Sequence, residues 1–208
     1  MTDYCSSTDI KGSLPETLGS STDTTYDDLI ASLITSASRA IDGYLGVQDN
    51  YFYPSSDAEV RYYDGNNDYE LQVDDYISIS TLGVAENGGV SSSDYVTWGS
   101  TDYFTFPYNA ATKGKPYTKI VVDVENGEKG YFPAFRKAVK VTGVFGYSTT
   151  PPADVKQACI IQSIRQLQRA KNGYQDAGAN AAVGQLFYVK ELDPDVKNML
   201  NKYVMENL

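Results

Sequence analysis

The sequence predicts an α+β fold: terminal α-helices that form a helical core, with an inserted antiparallel β-module. Three observations predict it. Apolar residues recur at helical spacing over residues 26–45. From Tyr51 the period changes to two and stays so for roughly ninety residues. A helical pattern then returns after Pro152. The expected organisation is residues 1–46 and 148–208 as one helical core, and residues 47–147 as an inserted β-rich module. That plan suits a structural connector better than an enzyme.

The elements follow in order. A short helix is expected from Asp9, capped by Ser7 or Thr8 and broken by Pro15 and Gly19. Thr24 and Thr25 offer N-caps for the next helix. Asp27 and Asp28 lie in its first turn, where the helix dipole favours carboxylates. Leu29, Ile30, Leu33, Ile34, Ala37, Ile41, Tyr44 and Leu45 form its apolar stripe, and Gly46 is a stop. In the β-region Tyr69, Leu71 and Val73 share a face, as do Ile77 and Ile79. Ile120, Val122 and Val124 share another, and so do Val139, Val141 and Phe145. Asp64-Gly65, Asn87-Gly88-Gly89 and Asn126-Gly127 mark turns between them. A sheet or barrel of six to eight strands is expected. Pro152 opens the next helix, whose stripe is Val155, Ala158, Cys159, Ile161, Ile164 and Leu167. Asn172-Gly173 closes it, and residues 174–191 are expected to be flexible. Asp193 caps a last helix, with Pro194 at its first position and Val196, Met199, Leu200, Tyr203 and Val204 on its apolar face.

The chain of 208 residues carries a net charge of −10. That disfavours an extended phosphate-binding surface, which needs clustered Lys and Arg. Histidine is absent. Its absence removes Ser-His-Asp triads, Cys-His dyads and the commonest zinc ligand. No phosphate loop, dinucleotide fingerprint or GxSxG elbow is present. The two cysteines are expected to be a free thiol in a loop, Cys5, and a small core residue, Cys159; this usage suits cytosolic folding. No signal peptide or membrane-spanning run is expected.

Four residues have a weak calcium-loop spacing: Asp64, Asn66, Asp68 and Asp75. Tyr69 stands where such a loop wants Gly, and Asp75 where it wants Glu, so a hairpin turn is the preferred reading. Asp74, Asp75 and Glu125 have no spacing that brings them together for acid–base chemistry. Arg165, Arg169 and Lys171 complement the dipole at a helix end, or contact an acidic partner or DNA. Tyrosine numbers 18, many of them in the β-region. These serve strand packing, interfaces, or both. The glycine-rich stretch at 86–94 is either a disordered loop or an assembly contact.

Taken whole, the chain resembles the phage head-tail connector, or head-completion adaptor, family that docks beneath the portal. The resemblance begins at Asp28-Leu-Ile-Ala-Ser-Leu-Ile-Thr-Ser-Ala-Ser-Arg-Ala-Ile-Asp-Gly-Tyr44, with its Ala-Ser-x-x-Ile-Asp-x-Tyr signature, followed by an aromatic residue and Pro54. It continues through Arg61-Tyr-Tyr-Asp-Gly65 and Leu71-Gln-Val-Asp-Asp75. Its most specific part is Val141-Thr-Gly-Val-Phe-Gly-Tyr147 followed by Pro152-Ala-Asp-Val-x-x-Ala158. Leu192-Asp-Pro-Asp-Val196 resembles the start of the family's last helix.

The resemblance implies a structural protein of the virion neck, assembled in the bacterial host cytoplasm, with no catalytic residue and no cofactor. The expected partners are the portal protein, neighbouring copies in a ring (commonly of twelve) and a downstream neck or tail protein. DNA passes through the channel without sequence-specific binding. Candidate portal or subunit contacts are Arg165, Arg169, Lys171, Tyr174, Leu186, Phe187, Tyr188, Met199, Tyr203 and Val204. The runner-up is a β-rich carbohydrate- or receptor-binding module of a phage tail or cell surface. A third reading is a carboxylate-based hydrolase.

Overall fold

The structure, a computed structural model, describes residues 2–14, 24–89, 91–171, 177–180, 185–188 and 192–204, with the segments 177–180 and 185–188 described as backbone. The fold is α+β; the described residues form four α-helices and a six-stranded antiparallel sheet. The chain divides into two compact units: Met1–Tyr51 with Pro151–Leu208, and Phe52–Thr150.

In the first unit, α1 (Ser7–Ser13) starts two residues earlier than expected. Ser6, and not Ser7 or Thr8, is its cap, in a reciprocal box with Asp9 that satisfies both orphan donors. Helix α2 (Asp27–Leu45) follows. Its N-cap is Tyr26, which supplies no side-chain bond, so neither Thr24 nor Thr25 is the cap. Asp27 and Asp28 occupy the first turn as expected. Gly46 ends the helix in the left-handed region at φ 68°, where a Cβ is strained, and its N–H returns to Asp42 and Gly43 carbonyls. Ile30, Leu33, Ile34, Ala37, Ile41 and Leu45 are buried, which is most of the expected stripe. Tyr44 remains partly exposed.

Helix α3 (Ala153–Lys171) buries Val155, Ala158, Cys159, Ile160 and Leu167 against α2 and α4. Ile160, not Ile161, faces the core. Helix α4 (Pro194–Leu200) has Asp193 as N-cap and Pro194 in its first turn, as expected. It is shorter than the apolar pattern implied. A 3-10 turn at Asn201–Tyr203 follows it, and Val204 lies beyond, 43% exposed. The stretch expected to be flexible contains an antiparallel pair, residues Ala177–Asn180 and Gln185–Tyr188. Composition alone hides this pairing, because strands of four residues are too short to carry a period-two signal.

The second unit holds β1 (Glu59–Tyr63), β2 (Glu70–Val84), β3 (Val96–Trp98), β4 (Tyr103–Phe106), β5 (Tyr117–Val122) and β6 (Val139–Phe145). The order is β1-β6-β2-β5-β4, with β3 also on β2. Strand β2 is 15 residues long and organises the sheet. Its first half pairs with β5, its last three residues with β3, and residues from Tyr76 onward with β6. Register shifts interrupt it between Gln72 and Tyr76, Tyr76 and Ser78, and Ile79 and Thr81. A bulge advances the inward face by one residue. Leu71 and Val73 are therefore buried, but Tyr76 takes the next core place, and Ile77 and Ile79 are only half-buried. Tyr69 precedes the strand and is exposed, and Val124 lies past the end of β5 and is exposed too. The core gathers Leu71, Val73, Tyr76, Leu82, Val84, Ile120, Val122, Val139, Val141 and Phe145, with Trp98 stacked on Phe132 at 5.2 Å.

Candidate functional site

The residues that carry the family resemblance touch one another within each unit. In the helical unit, α2 presents Ser38, Asp42 and Tyr44 in succession. Ser38 Oγ accepts from the Tyr4 N–H at 3.1 Å. Asp42 is fully buried; it accepts from the Tyr4 hydroxyl, and from Asn50 N–H at 3.0 Å. Arg39 lies 3.1 Å from the same carboxylate and donates to Asn50 Oδ1. Burial pushes the Asp42 carboxyl above its usual range, while the bonds from Tyr4 and Asn50 and the charge of Arg39 pull the other way. Tyr44 turns to the C-terminal part: its hydroxyl donates to Asn201 Oδ1 at 3.4 Å, and Lys197 Nζ lies 5.8 Å from its ring centre. One helical signature thus anchors both the N-terminal strap and the last helix.

In the β-unit the same is true of Arg61, Asp74, Gly143 and Phe145. The Arg61 guanidinium lies 4.1 Å over the Phe145 ring and donates to Asp74 at 2.9 Å and Glu59 at 3.1 Å. Tyr63 donates to Asp74 at 2.9 Å, and burial followed by that carboxylate raises its phenol pKa. Gly143 sits opposite Ile79 in the ladder, where an added Cβ would lie 2.2 Å from Ser78 O. Gly146, at φ 141°, donates its N–H to Asp75 O at 2.8 Å.

The calcium-like residues are engaged in turn geometry. Asp64 accepts from Lys137 N–H at 2.7 Å. Asn66 Oδ1 accepts from Asp68 N–H at 3.1 Å while its amide donates to Glu70 O at 2.7 Å. Asp68 Oδ1 accepts from Tyr69 N–H at 2.6 Å. Asp75 lies within β2. Among the described residues no three acidic or cysteine side chains converge as metal ligands. The stretch at 86–94 includes a 3-10 turn, Ser92–Asp94, boxed by Ser91 and Asp94.

The candidate contact residues are distributed as follows. Arg165 is half-buried and bonded to Asp193 at 2.5 Å. Arg169 is half-buried; Lys171 is exposed, its Nζ 4.6 Å from the ring centre of Tyr26. Met199 and Tyr203 are half-buried and Val204 is exposed. Leu186, Phe187 and Tyr188 lie in the second strand of the short pair, and Tyr174 lies outside the described residues. Of the tyrosines from Tyr51 onward, Tyr51 and Tyr76 are buried, whereas Tyr62, Tyr69 and Tyr108 stand 49–62% exposed.

Sequence reasoning missed a cleft of about 610 Å³ in the β-unit. Trp98, Tyr131 and Phe135 line it together with Glu86, Glu128 and Lys129. Its wall combines strand residues Val84, Val96 and Trp98 with loop residues such as Glu128, Tyr131 and Phe135, and no single periodicity marks that shared face. Also missed was the contact of Cys5 with Cys159, 3.2 Å between sulfurs, both free and both buried. Cys5 is a free thiol in the loop before α1, as expected, but it is buried against Cys159 rather than left open. Among the described residues no helix is long and apolar enough to cross a membrane.

No protein-family model matches the chain, and no curated protein matches it. Among the solved structures similar to it are three chains of gene transfer agent particles. A chain from the neck of an empty gene transfer agent (GTA) particle, computed with C6 symmetry, is 13% identical; the match covers 88% of this chain and 80% of that chain, with a TM-score of 0.48. A chain from the virion of a native gene transfer agent particle is 13% identical, covering 89% and 81%, with a TM-score of 0.48. A chain from the neck of a native GTA particle, computed with C12 symmetry, is 13% identical, covering 88% and 85%, with a TM-score of 0.47.

Proposed function

We propose that this chain is a structural head-to-tail adaptor of a tailed bacteriophage. Copies form a ring under the portal, extend the DNA channel and offer a docking surface to the next neck or tail protein. The observation that carries the reading is the mutual packing of the resembling segments. Ser38, Asp42 and Tyr44 hold the two ends of the helical unit; Arg61 meets Asp74 and Phe145 across β1, β2 and β6, and Gly143 lets β6 pack closely on β2. A resemblance spread over such partners is a resemblance in fold-determining contacts, which isolated string matches lack.

Chemistry supports a structural role. The chain has no histidine, and the carboxylates at its buried centres are occupied by structural bonds. A net charge of −10 repels duplex DNA and lets it slide through a channel. Lys171, Arg169, Met199, Tyr203 and Val204 are the proposed contacts of the helical unit with the portal or a neighbouring copy, and the short strand at 185–188 is a further one. The genetic test is deletion of the coding sequence from the phage or prophage that carries it. The reading expects filled heads without tails; intact infectious virions would refute it.

One observation favours a second reading. The aromatic and carboxylate lining of the β-unit cleft is the kind of surface that stacks on sugar rings and accepts from their hydroxyls. Glycan-array binding by the isolated chain, lost on Tyr131→Ala, would shift the assignment to a binding module.

A further inference from the structure

The Cys5–Cys159 pair serves no part of the adaptor reading, and its geometry is specific. Cys5 precedes α1 in the N-terminal strap, and Cys159 lies mid-helix in α3, 154 positions later. Their sulfurs are 3.2 Å apart, with Cys5 donating to Cys159. Cys159 is wholly buried and Cys5 is 9% exposed. Ser38 Oγ lies 3.5 Å from Cys159 Sγ, and Ser163 Oγ lies 4.0 Å from it. A disulfide needs the sulfurs to close by only about 1.2 Å.

We propose that Cys5 and Cys159 are an oxidative modification site, converted by a peroxide into a disulfide that clamps the N-terminal strap to α3. The chemistry closes without another reagent. The Cys159 thiolate attacks one peroxide oxygen, the O–O bond breaks, and hydroxide leaves, giving a sulfenic acid. The Cys5 sulfur then attacks the Cys159 sulfur, the S–O bond breaks, and the departing hydroxide takes up the Cys5 proton as water. Two thiols lose two electrons and two protons, and one peroxide becomes two waters.

The surroundings fit that order of events. The hydrogen bond from Cys5, joined by those from Ser38 and Ser163, favours thiolate at Cys159 against the effect of burial. The same bond, with burial, holds the proton on Cys5. In a reducing cytoplasm the pair stays as thiols. Once formed, the disulfide joins the two sequence-distant parts of the helical unit and encloses the whole β-unit in one covalent loop. Strap release then requires reduction.

The test uses the full chain, reduced and then treated with hydrogen peroxide under native conditions. Expected are loss of both thiols in a denatured titration, a Cys5–Cys159 peptide in the non-reduced digest, and a monomer on a non-reducing gel. The helical unit should melt higher by roughly 5–15 °C, reversed by a dithiol reductant. Cys5→Ser should keep the reduced protein's melting point and lose the peroxide-dependent rise. If that variant does not fold, the wild-type peptide map decides. Two intact thiols after peroxide, intermolecular dimers, over-oxidised cysteines, or a mapped disulfide without a melting shift would each overturn the proposal.

Discussion

Arg165 on α3 donates to the carboxylate of Asp193 at 2.5 Å, and Asp193 is the residue that caps α4 through Asp195 N–H at 2.9 Å. One carboxylate therefore serves as helix cap and as ion-pair partner of the neighbouring helix. Asp193→Ala removes both and should cost about 1–3 kcal/mol in urea unfolding. Arg165→Ala should cost about 1–2 kcal/mol, and the double variant less than the sum, because the two residues share one interaction. Additive losses would show that the contact contributes nothing.

Gly143 is required by space. A Cβ there meets Ser78 O at 2.2 Å and Ile79 Cα at 3.2 Å, both backbone atoms that cannot rotate away. Gly143→Ala should destabilise the β-unit by about 3 kcal/mol. Gly130→Ala, with nothing within 4 Å of the new Cβ, should change stability by less than about 0.5 kcal/mol. Chemical denaturation of the two variants side by side checks the contrast.

Acid should weaken the tie between α1 and α3. The Asp9 carboxyl is held down to about 2 from 3.8, chiefly by its bond to Lys156, 2.8 Å away, and then by those from Ser6. The folded value is depressed, so the contribution is fully present above the unfolded value and is lost as pH falls through about 2. Wild type and Asp9→Asn should differ by a constant amount at neutral pH, and the gap should close between 3.8 and about 2. A gap that widens on acidification would reverse the sign of the argument.

Calcium should have no effect. Asp64, Asn66 and Asp68 are committed to backbone donors of their own turn and of Lys137. Millimolar calcium, or its removal by a chelator, should leave the melting temperature unchanged. A calcium-dependent rise abolished by Asp68→Ala would restore the metal reading.

The helices were legible because each carries local punctuation. Asp193-Pro194 starts α4, Gly46 ends α2, and the stripe from Ile30 to Leu45 has one period throughout. The strands β5 and β6 were legible for the same reason. Strand β2 was only half legible. Its bulges, set by pairing with strands far along the chain, move Tyr76 into the core and take Ile77 and Ile79 partly out of it. The contacts of the site were less visible still. Asp42 reads as an ordinary helix-end acid until Tyr4 and Asn50 are brought to it, and Cys5 reads as a loop thiol until Cys159 lies beneath it. The Tyr4–Asp42 and Cys5–Cys159 contacts join residues separated by long stretches of sequence, which spacing cannot report.

The adaptor reading is tested most directly by mass photometry of the purified chain, alone and mixed with the portal ring from the same genome. The account predicts a portal peak that gains about a dozen copies of the chain, whatever the state of the free protein. A portal peak that does not move, with the chain remaining a monomer at every ratio, would contradict it.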